Sequence, residues 1–253
     1  MNQLLARIEL IAAIVVAMMI AVSGPGYRFE WWPLTTAFTM LRWGAWIAVA
    51  IAVVALIHLF ARSYISGPPG RGFAQGAAVA IALVAAAAPL WLVWTGSRVP
   101  PIHDITTDTT NPPAFVALVP LRAQAKNPVA YGGEEIARQQ RAAYPDIQPV
   151  VLGTWPTEQA FDRALAAARK MGWTIIDSNA ADGRIEASDT TRFFGFVDDI
   201  VIRVSLVGSR TQIDVRSLSR IGRSDLGANA WRVRRYTHSL MSDLNEASGG
   251  TPK

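Results

Sequence analysis

Residues 76–94 read GAAVAIALVAAAAPLWLVW and contain no charged side chain. A helix needs roughly 20 apolar residues to cross the hydrocarbon core of a bilayer, and this stretch has that length. Two further apolar stretches precede it, Ile8 to Val22 and Leu41 to Phe60. The sequence therefore predicts a transmembrane domain of three helices over residues 1–97, followed by one soluble domain over residues 98–253.

The first apolar stretch has two interpretations. Ala21-Val22-Ser23 has the small residues at which signal peptides are cleaved, but Glu9 lies close to the apolar region and only Arg7 precedes it. We favour an uncleaved helix. Both interpretations place the residues that follow on the same side of the membrane.

Basic residues indicate how the helices are oriented, because Lys and Arg are enriched in cytoplasmic loops. The predicted cytoplasmic side has three of them: Arg7, Arg62 and Arg71. Arg28 and Arg98 fall on the other side, and Arg42 is a third candidate there, so the bias is slight. Residues 99–121 after the third helix contain no Lys or Arg. We expect the soluble domain to lie outside the cytoplasm.

Three further features of the helices bear on packing. Tryptophans lie near the predicted helix ends, where indole rings favour the membrane interface. Small residues recur every four positions and predict either a compact bundle, a docking face for another protein, or simple filler: Gly44, Ala48, Ala52, Ala78, Ala82 and Ala86. His58 is ionisable within an apolar helix, a hint of function, but interfacial solvation is the simpler expectation.

The soluble domain begins with a proline-rich stretch, residues 99–128, which we call the strap. Its six prolines favour extended backbone over helix. Beyond it, polar composition predicts a short helix from Glu134 to Tyr144, and apolar stripes predict helices from Glu158 to Met171 and from about Asp225 to Ala247.

Four strand-like segments lie between the last two helices: Trp173 to Asp177, Arg184 to Ser188, Ile200 to Val207 and Arg210 to Leu218. Asp182-Gly183 and Gly208-Ser209 are tight-turn signals that predict two antiparallel hairpins. Alternation places one apolar set of side chains on the face that the helices can cover: Ile200, Ile202, Val204 and Leu206, with Ile213 and Val215 opposite them. The prediction is an α+β fold in which two helices pack on a four-stranded antiparallel sheet.

The other face of this sheet is charged. It carries Arg184, Glu186, Arg203, Gln212, Asp214 and Arg216. We expect a solvated face with cross-strand ion pairs, and a ligand platform that includes Arg203 is the alternative. The aromatic run at Phe193, Phe194 and Phe196 is either core or an apolar tip against lipid or a partner.

The turn between the last strand and the last helix is the most suggestive site. Helix starts offer free backbone N–H groups and a positive dipole end, to which Arg220 and Arg223 would add charge for an anion. Its candidate binding residues are Arg220, Arg223, Ser224, Asp225 and Asn229. The simpler interpretation is a connection in which Ser224 or Asp225 caps the helix.

Asp198 and Asp199 could supply paired carboxylates for a metal or for acid–base work. Adjacent residues of a strand point to opposite faces, however, so two such groups rarely serve one site. We therefore interpret this pair as part of a turn, and keep both residues as candidate binding residues.

Composition excludes several classes of function. The chain has no cysteine, which removes thiol catalysis and thiolate metal sites. No basic run supports nucleic-acid binding, and His238 has no evident triad partner. A metal site at His103, Asp104 and Asp108 is disfavoured because Asp108 is expected in a proline-flanked part of the strap that offers no rigid scaffold. We expect no cofactor and no metal.

Four separated sequence motifs occur in the same order as in a known family. They are Pro100–Asp108, Gln139–Asp146, Phe194–Arg203, and Asp214–Ser217 continued by Gly222–Asn229. Together they resemble domain of unknown function 1499, over residues 100–235. The resemblance implies a membrane-bound bacterial protein of the cell envelope and brings no catalytic residue. By this analogy we expect the inner membrane, with the soluble domain in the periplasm.

Three hypotheses follow. The first is a non-catalytic, membrane-anchored envelope protein, an accessory protein whose soluble domain binds a partner protein or an anionic ligand. The second is a membrane-tethered hydrolase that uses Asp198, Asp199 or Asp225 as acid or base. The third is a lipid-handling protein, for which an apolar cavity inside the soluble domain would be the sign. In all three the bilayer is a partner and nucleic acid is not.

Overall fold

The computed structural model of the chain describes residues 2–65 and 73–247. They form two compact units. Unit 1 is Met1–Ser97 with Arg192–Gly195, and unit 2 is Arg98–Thr191 with Phe196–Lys253. Arg71, which entered the orientation argument, lies outside the described residues.

Unit 1 contains three long apolar helices, α1 (Asn2–Arg28), α2 (Leu34–Ile65) and α3 (Phe73–Gly96). Each is long and apolar enough to cross a membrane. The three predicted spans are therefore confirmed as helices, and each is longer than its uninterrupted apolar run. α3 continues through Pro89.

Alanines fill the interior of this bundle. Ala48, Ala52, Ala78, Ala82 and Ala86 are all buried. Small side chains let the helix backbones approach one another where no hydrophobic effect drives helices together in lipid. The four-residue spacing in the sequence thus reflects packing between these three helices.

Polar and aromatic groups complete unit 1. His58 of α2, for which we expected solvation alone, pairs through Nδ1 with the carboxylate of Glu9 on α1. The ring of Phe194 is buried, 5.6 Å from the ring of Phe38 and 6.4 Å from that of Tyr27. The aromatic run is therefore divided, since Phe194 is core of unit 1 while the neighbouring Phe193 is partly exposed.

Unit 2 contains six strands and four helices among its described residues. The strands are β1 (Asp104–Thr106), β2 (Val150–Val151), β3 (Thr174–Asn179), β4 (Arg184–Thr190), β5 (Val197–Val207) and β6 (Arg210–Ser219). The helices are α4 (Leu118–Leu121), α5 (Gly133–Ala143), α6 (Thr157–Lys170) and α7 (Ala228–Ala247).

All six strands belong to one antiparallel sheet of order β1-β6-β5-β4-β3, with β2 also paired to β6. The predicted four-stranded sheet was therefore two strands short. β1 and β2 are too short for alternation to reveal them. Both pair with the outer edge of β6, whose backbone N–H and C=O groups would otherwise lack partners in the sheet.

The two predicted hairpins are confirmed. Gly183 ends the β3–β4 turn at φ 60°, and a Cβ there would lie 2.1 Å from the carbonyl oxygen of Val204. Only glycine fits both the left-handed backbone and this close approach. The prediction failed at Leu206, which is exposed rather than on the buried face.

The apolar face of the sheet packs against α6 and α7. Ile185, Ile200, Ile202, Ile213 and Val215 lie there without exposure to solvent. Tyr236 of α7 stacks on Trp173 at 5.2 Å and donates its hydroxyl to the carbonyl of Ala164 on α6. The sheet, α6 and α7 therefore share one hydrophobic core, which holds α7 and the candidate turn before it in place.

The charged face of the sheet is not solvated, contrary to expectation, because the strap covers it. Phe115 and Leu118 of the strap pack against Val201 and Leu218. The carboxylate of Glu186 accepts hydrogen bonds from the backbone N–H groups of residues 116, 117 and 118 at 2.8–2.9 Å. The sheet is thus a middle layer, with helices on one side and the strap on the other.

The packing of the strap on the sheet can be tested at Leu118. Leu118→Ala removes a fully buried side chain and is expected to lower the free energy of unfolding by about 2–5 kcal/mol. Val119→Ala, on the exposed side of the same short helix, should stay within about 0.5 kcal/mol. The free energy of unfolding is measured on the full-length protein in mild detergent, by a short thermolysin digestion at each of a series of urea concentrations. Equal losses of unfolding free energy in both variants would contradict the docking of the strap on the sheet.

Candidate functional site

Arg220 and Asp199 meet in a buried ion pair on the strap side of the sheet. Arg220 donates from Nε and Nη2 to the Asp199 carboxylate at 2.8 and 2.9 Å. Arg122 of the strap adds a bond at 2.5 Å, and the Ser188 hydroxyl another at 2.6 Å. The Arg220 guanidinium therefore points inward and neutralises a buried carboxylate.

The electrostatics of Asp199 follow from this arrangement. Burial would raise its pKa, but hydrogen bonds from Arg220 and Ser188, with the charge of Arg220, outweigh burial and hold the pKa below its ordinary value. Burial lowers the pKa of Arg122, although its hydrogen bond to Asp199 acts in the opposite direction. Asp199 is consequently ionised at neutral pH.

Asp198 lies on the opposite face of β5 and pairs with Arg232 of α7 at 2.7 Å. Arg232 also donates to Asp189 of β4 at 3.0 Å. The interpretation of Asp198 and Asp199 as a turn is wrong, because both lie within β5, which begins at Val197. Two adjacent buried carboxylates are stable in a strand here because each face supplies its own arginine.

Asn229, at the start of α7, is fully buried, and both the nitrogen and the oxygen of its side-chain amide form hydrogen bonds. Its Nδ2 donates at 2.9 Å to the carbonyl of His103 and to the hydroxyl of Ser219. Its Oδ1 accepts from Ser217 Oγ at 2.6 Å and from Arg232 at 2.5 Å. Asn229 therefore ties α7 to β6 and to the residues before β1.

The predicted capping role falls to Asp225. Its carboxylate accepts the backbone N–H groups of Gly227 at 2.8 Å and Asn229 at 2.7 Å. Ser224 Oγ accepts the N–H of Leu226 at 3.2 Å. Burial raises the pKa of Asp225, although these backbone hydrogen bonds oppose the shift. The N–H groups that a small anion would use are thus occupied, and anion binding stays a prediction.

Four side chains around this turn face solvent, and we call them the Trp231 surface: Arg223, Leu226, Trp231 and Arg235. Trp231 is 59% exposed. The guanidinium carbon of Arg235, one helical turn on, lies 5.0 Å from its ring centroid. Among the described residues, neither Arg223 nor Arg235 forms an ion pair, so the positive charge of this surface is available to a partner.

Arg203, the remaining candidate, lies on the strap side. It donates to Asp214 of β6 at 2.7 Å and to Asp108 of the strap at 3.1 Å. It therefore belongs to the contacts that hold the strap and lies on a different part of unit 2 from the Trp231 surface.

Sequence reasoning did not identify Arg122 and Arg232, and it expected Glu186 and Arg216 to be solvated, yet all four are buried. Arg122, Glu186 and Arg232 each anchor one layer to another, and Arg216 of β6 holds Asp104 of β1 through two bonds at 2.8 and 2.9 Å. One signal was present in the sequence. Phe115 and Leu118 are apolar residues in a proline-rich stretch, and such side chains need a surface to cover.

The three residues considered for a metal site are dispersed in the structure. Asp104 pairs with Arg216, Asp108 pairs with Arg203, and the ring nitrogen of His103 lies 3.2 Å from the carbonyl of Arg223. Within residues 2–65 and 73–247, no group of three or more His, Asp or Glu side chains is arranged to hold a metal ion.

Comparison with known proteins identifies one family. A family model described as "Protein of unknown function (DUF1499)" matches residues 104–240, more than half of the chain. The matched range contains residues 104–128 of the strap, the whole sheet and all eight candidate residues. No curated protein matches the chain.

The Asp199 cluster generates a prediction about stability and pH. Asp199→Asn leaves Arg122 and Arg220 without their buried counter-charge and should cost about 3–5 kcal/mol at neutral pH. Because the folded-state pKa of Asp199 is lowered, its contribution is present above the unfolded-state value of about 3.9 and is lost as the pH falls through the folded-state value.

The difference between wild type and Asp199→Asn should therefore shrink below about pH 4. The measurement is urea unfolding with a proteolysis pulse at neutral and acid pH. Asp146→Asn is the matched control, because Asp146 binds Arg234 by two bonds but is exposed, so the loss should stay within about 1 kcal/mol. A pH-independent difference for Asp199→Asn would contradict the assignment.

Proposed function

Because the chain belongs to the DUF1499 family, whose function is unknown, we propose its function from its own residues: it is a membrane-anchored, non-catalytic protein of the bacterial envelope whose extramembrane domain binds a partner protein. The three apolar helices supply the anchor. The inner membrane and a periplasmic domain are parts of this proposal, supported by the scarcity of basic residues after the third helix.

The burial and pairing of the candidate acidic residues favour a binding function over a catalytic one. A general acid or base must reach the proton that it transfers, yet Asp198 and Asp199 are buried and paired with arginines. Asp225 holds the backbone N–H groups at the start of α7. The alternative, a hydrolase that uses these carboxylates, fits this arrangement less well because each of them has a structural partner.

The Trp231 surface carries the proposal. Tryptophan and arginine are the residues most enriched among those that dominate the energy of protein interfaces. Trp231 is exposed on the outer face of α7, with the Arg235 side chain over its ring. Arg223 adds a second free positive charge on the other side of the Asp225 turn. The surface is suited to a protein with an apolar pocket bordered by carboxylates.

A protein partner is favoured over a small anion for a structural reason. A small anion at this turn would need the N–H groups of Gly227 and Asn229, which the Asp225 carboxylate already binds. It would also meet the negative charge of Asp225 itself. The free positive charges lie further out, on long side chains that can reach across an interface.

Orientation can be tested with single cysteines, because the natural chain has none. Ser209→Cys lies in the exposed β5–β6 turn, and Gln3→Cys lies on the exposed side of the first turn of α1. In intact bacteria a maleimide that does not cross the inner membrane should label Ser209→Cys alone. Labelling of Gln3→Cys alone would reverse the proposed orientation.

Partner binding is tested by purifying the full-length protein at native expression in mild detergent and identifying stoichiometric proteins by mass spectrometry. Trp231→Ala combined with Arg235→Ala should reduce the bound partner at least about tenfold, because central interface residues typically contribute 2 kcal/mol or more. Arg220 is unsuitable for this test, since its loss would leave Asp199 buried and less well compensated.

The matched control is Leu206→Ala with Arg210→Ala, an exposed apolar residue and an exposed arginine at the β5–β6 turn. This control should bind the partner as wild type does. A protein recovered alone, or a partner retained by the Trp231 variant, would overturn the proposal and direct attention to catalysis or ligand transfer.

A further inference from the structure

An apolar groove runs along unit 1 between α1 and α3, with a volume of about 530 Å³. Its walls include Ala17 and Ala21 from α1, Val84, Ala85 and Ala88 from α3, and Phe193 from the segment Arg192–Gly195. Val84 is 75% exposed, so the groove opens on the outer surface of the helices. A volume in this range suits a small apolar ligand.

The position of Phe193 defines one end of the groove. Its ring lies against Gly24 of α1, where a Cβ would fall only 2.3 Å from a ring carbon. A helix rises about 1.5 Å per residue, so Ala17 lies roughly 16 Å along α1 from Arg28. That is about half of the roughly 30 Å hydrocarbon core. The groove and the arginine beyond its end therefore together span about one leaflet.

Two arginines lie at the Phe193 end. The Nη1 of Arg28, on the last turn of α1, donates to the carbonyl of Arg192 at 2.6 Å. Both side chains are exposed, and neither has a carboxylate partner among residues 2–65 and 73–247. Guanidinium groups bind phosphate with two parallel hydrogen bonds. The groove is thus apolar along its length and positive at its interfacial end.

We propose that this groove binds one anionic glycerophospholipid of the bilayer, with an acyl chain along Ala21, Ala85 and Ala88 and the phosphate between Arg28 and Arg192. The charge at the mouth decides between a lipid and a second transmembrane helix, because a helix would fill the groove but leave both guanidinium groups without an anion. The site lies within unit 1 and does not depend on the Trp231 surface.

The test is native mass spectrometry of the full-length protein in detergent with added phosphatidylglycerol or phosphatidylethanolamine. The wild type should retain one phosphatidylglycerol and prefer it over phosphatidylethanolamine. Ala88→Phe fills the groove from an exposed position and should abolish retention. Arg28→Ala with Arg192→Ala should lower the preference for phosphatidylglycerol about tenfold or more, since hydrogen bonds to charged groups are the strong ones.

Two controls keep the result interpretable. Val53→Phe adds the same bulk to an exposed position of α2, and Arg42→Ala removes an exposed arginine of α2; both should bind lipid as wild type does. Ala21→Leu is a milder groove variant in case Ala88→Phe does not purify as a folded protein. Equal retention of the two lipids by wild type, undiminished binding in both groove variants, or a dimer that Ala88→Phe disrupts would each overturn the proposal.

Discussion

The buried carboxylate of Asp199 constrains the whole of unit 2. A charge without exposure to solvent is stable only if it is paired and hydrogen-bonded, and its partners come from different parts of the chain. Arg220 follows β6, Ser188 belongs to β4, and Arg122 belongs to the strap. Satisfying one carboxylate therefore positions the strap, the sheet and the turn that leads to α7.

The same principle explains why the sheet has two covered faces of different character. Its apolar face is held to the helices mainly by non-directional burial, and Arg232 and Asn229 add hydrogen bonds from α7 to the sheet. Its charged face is held to the strap by directional contacts such as Arg216 with Asp104 and Glu186 with three backbone N–H groups. The strap has little regular structure of its own, and side-chain hydrogen bonds take the place of a backbone ladder.

The sequence predicted the elements that leave a clear pattern: long apolar runs, tight-turn signals between alternating segments, and helical stripes or composition. Three spans, two hairpins and the helices that became α5, α6 and α7 were all identified, whereas β1 and β2 are too short to alternate. For the site, charge and the predicted strand and helix located the turn, but they could not show which of its arginines is buried and which faces solvent. Arg220 and Arg223 are three residues apart, and only the distant Asp199 and Arg122 determine that the first points inward and the second outward.

The register of β1 bears on the order of events in folding. Asp104 is opposite Leu218, and its carboxylate is held by Arg216. A chain made from its N-terminus must therefore release more than a hundred residues before its first strand finds a partner. Contacts this distant in sequence form late and slowly. Until β6 has been synthesised, Phe115 and Leu118 lack Leu218, part of the surface that buries them in the folded domain.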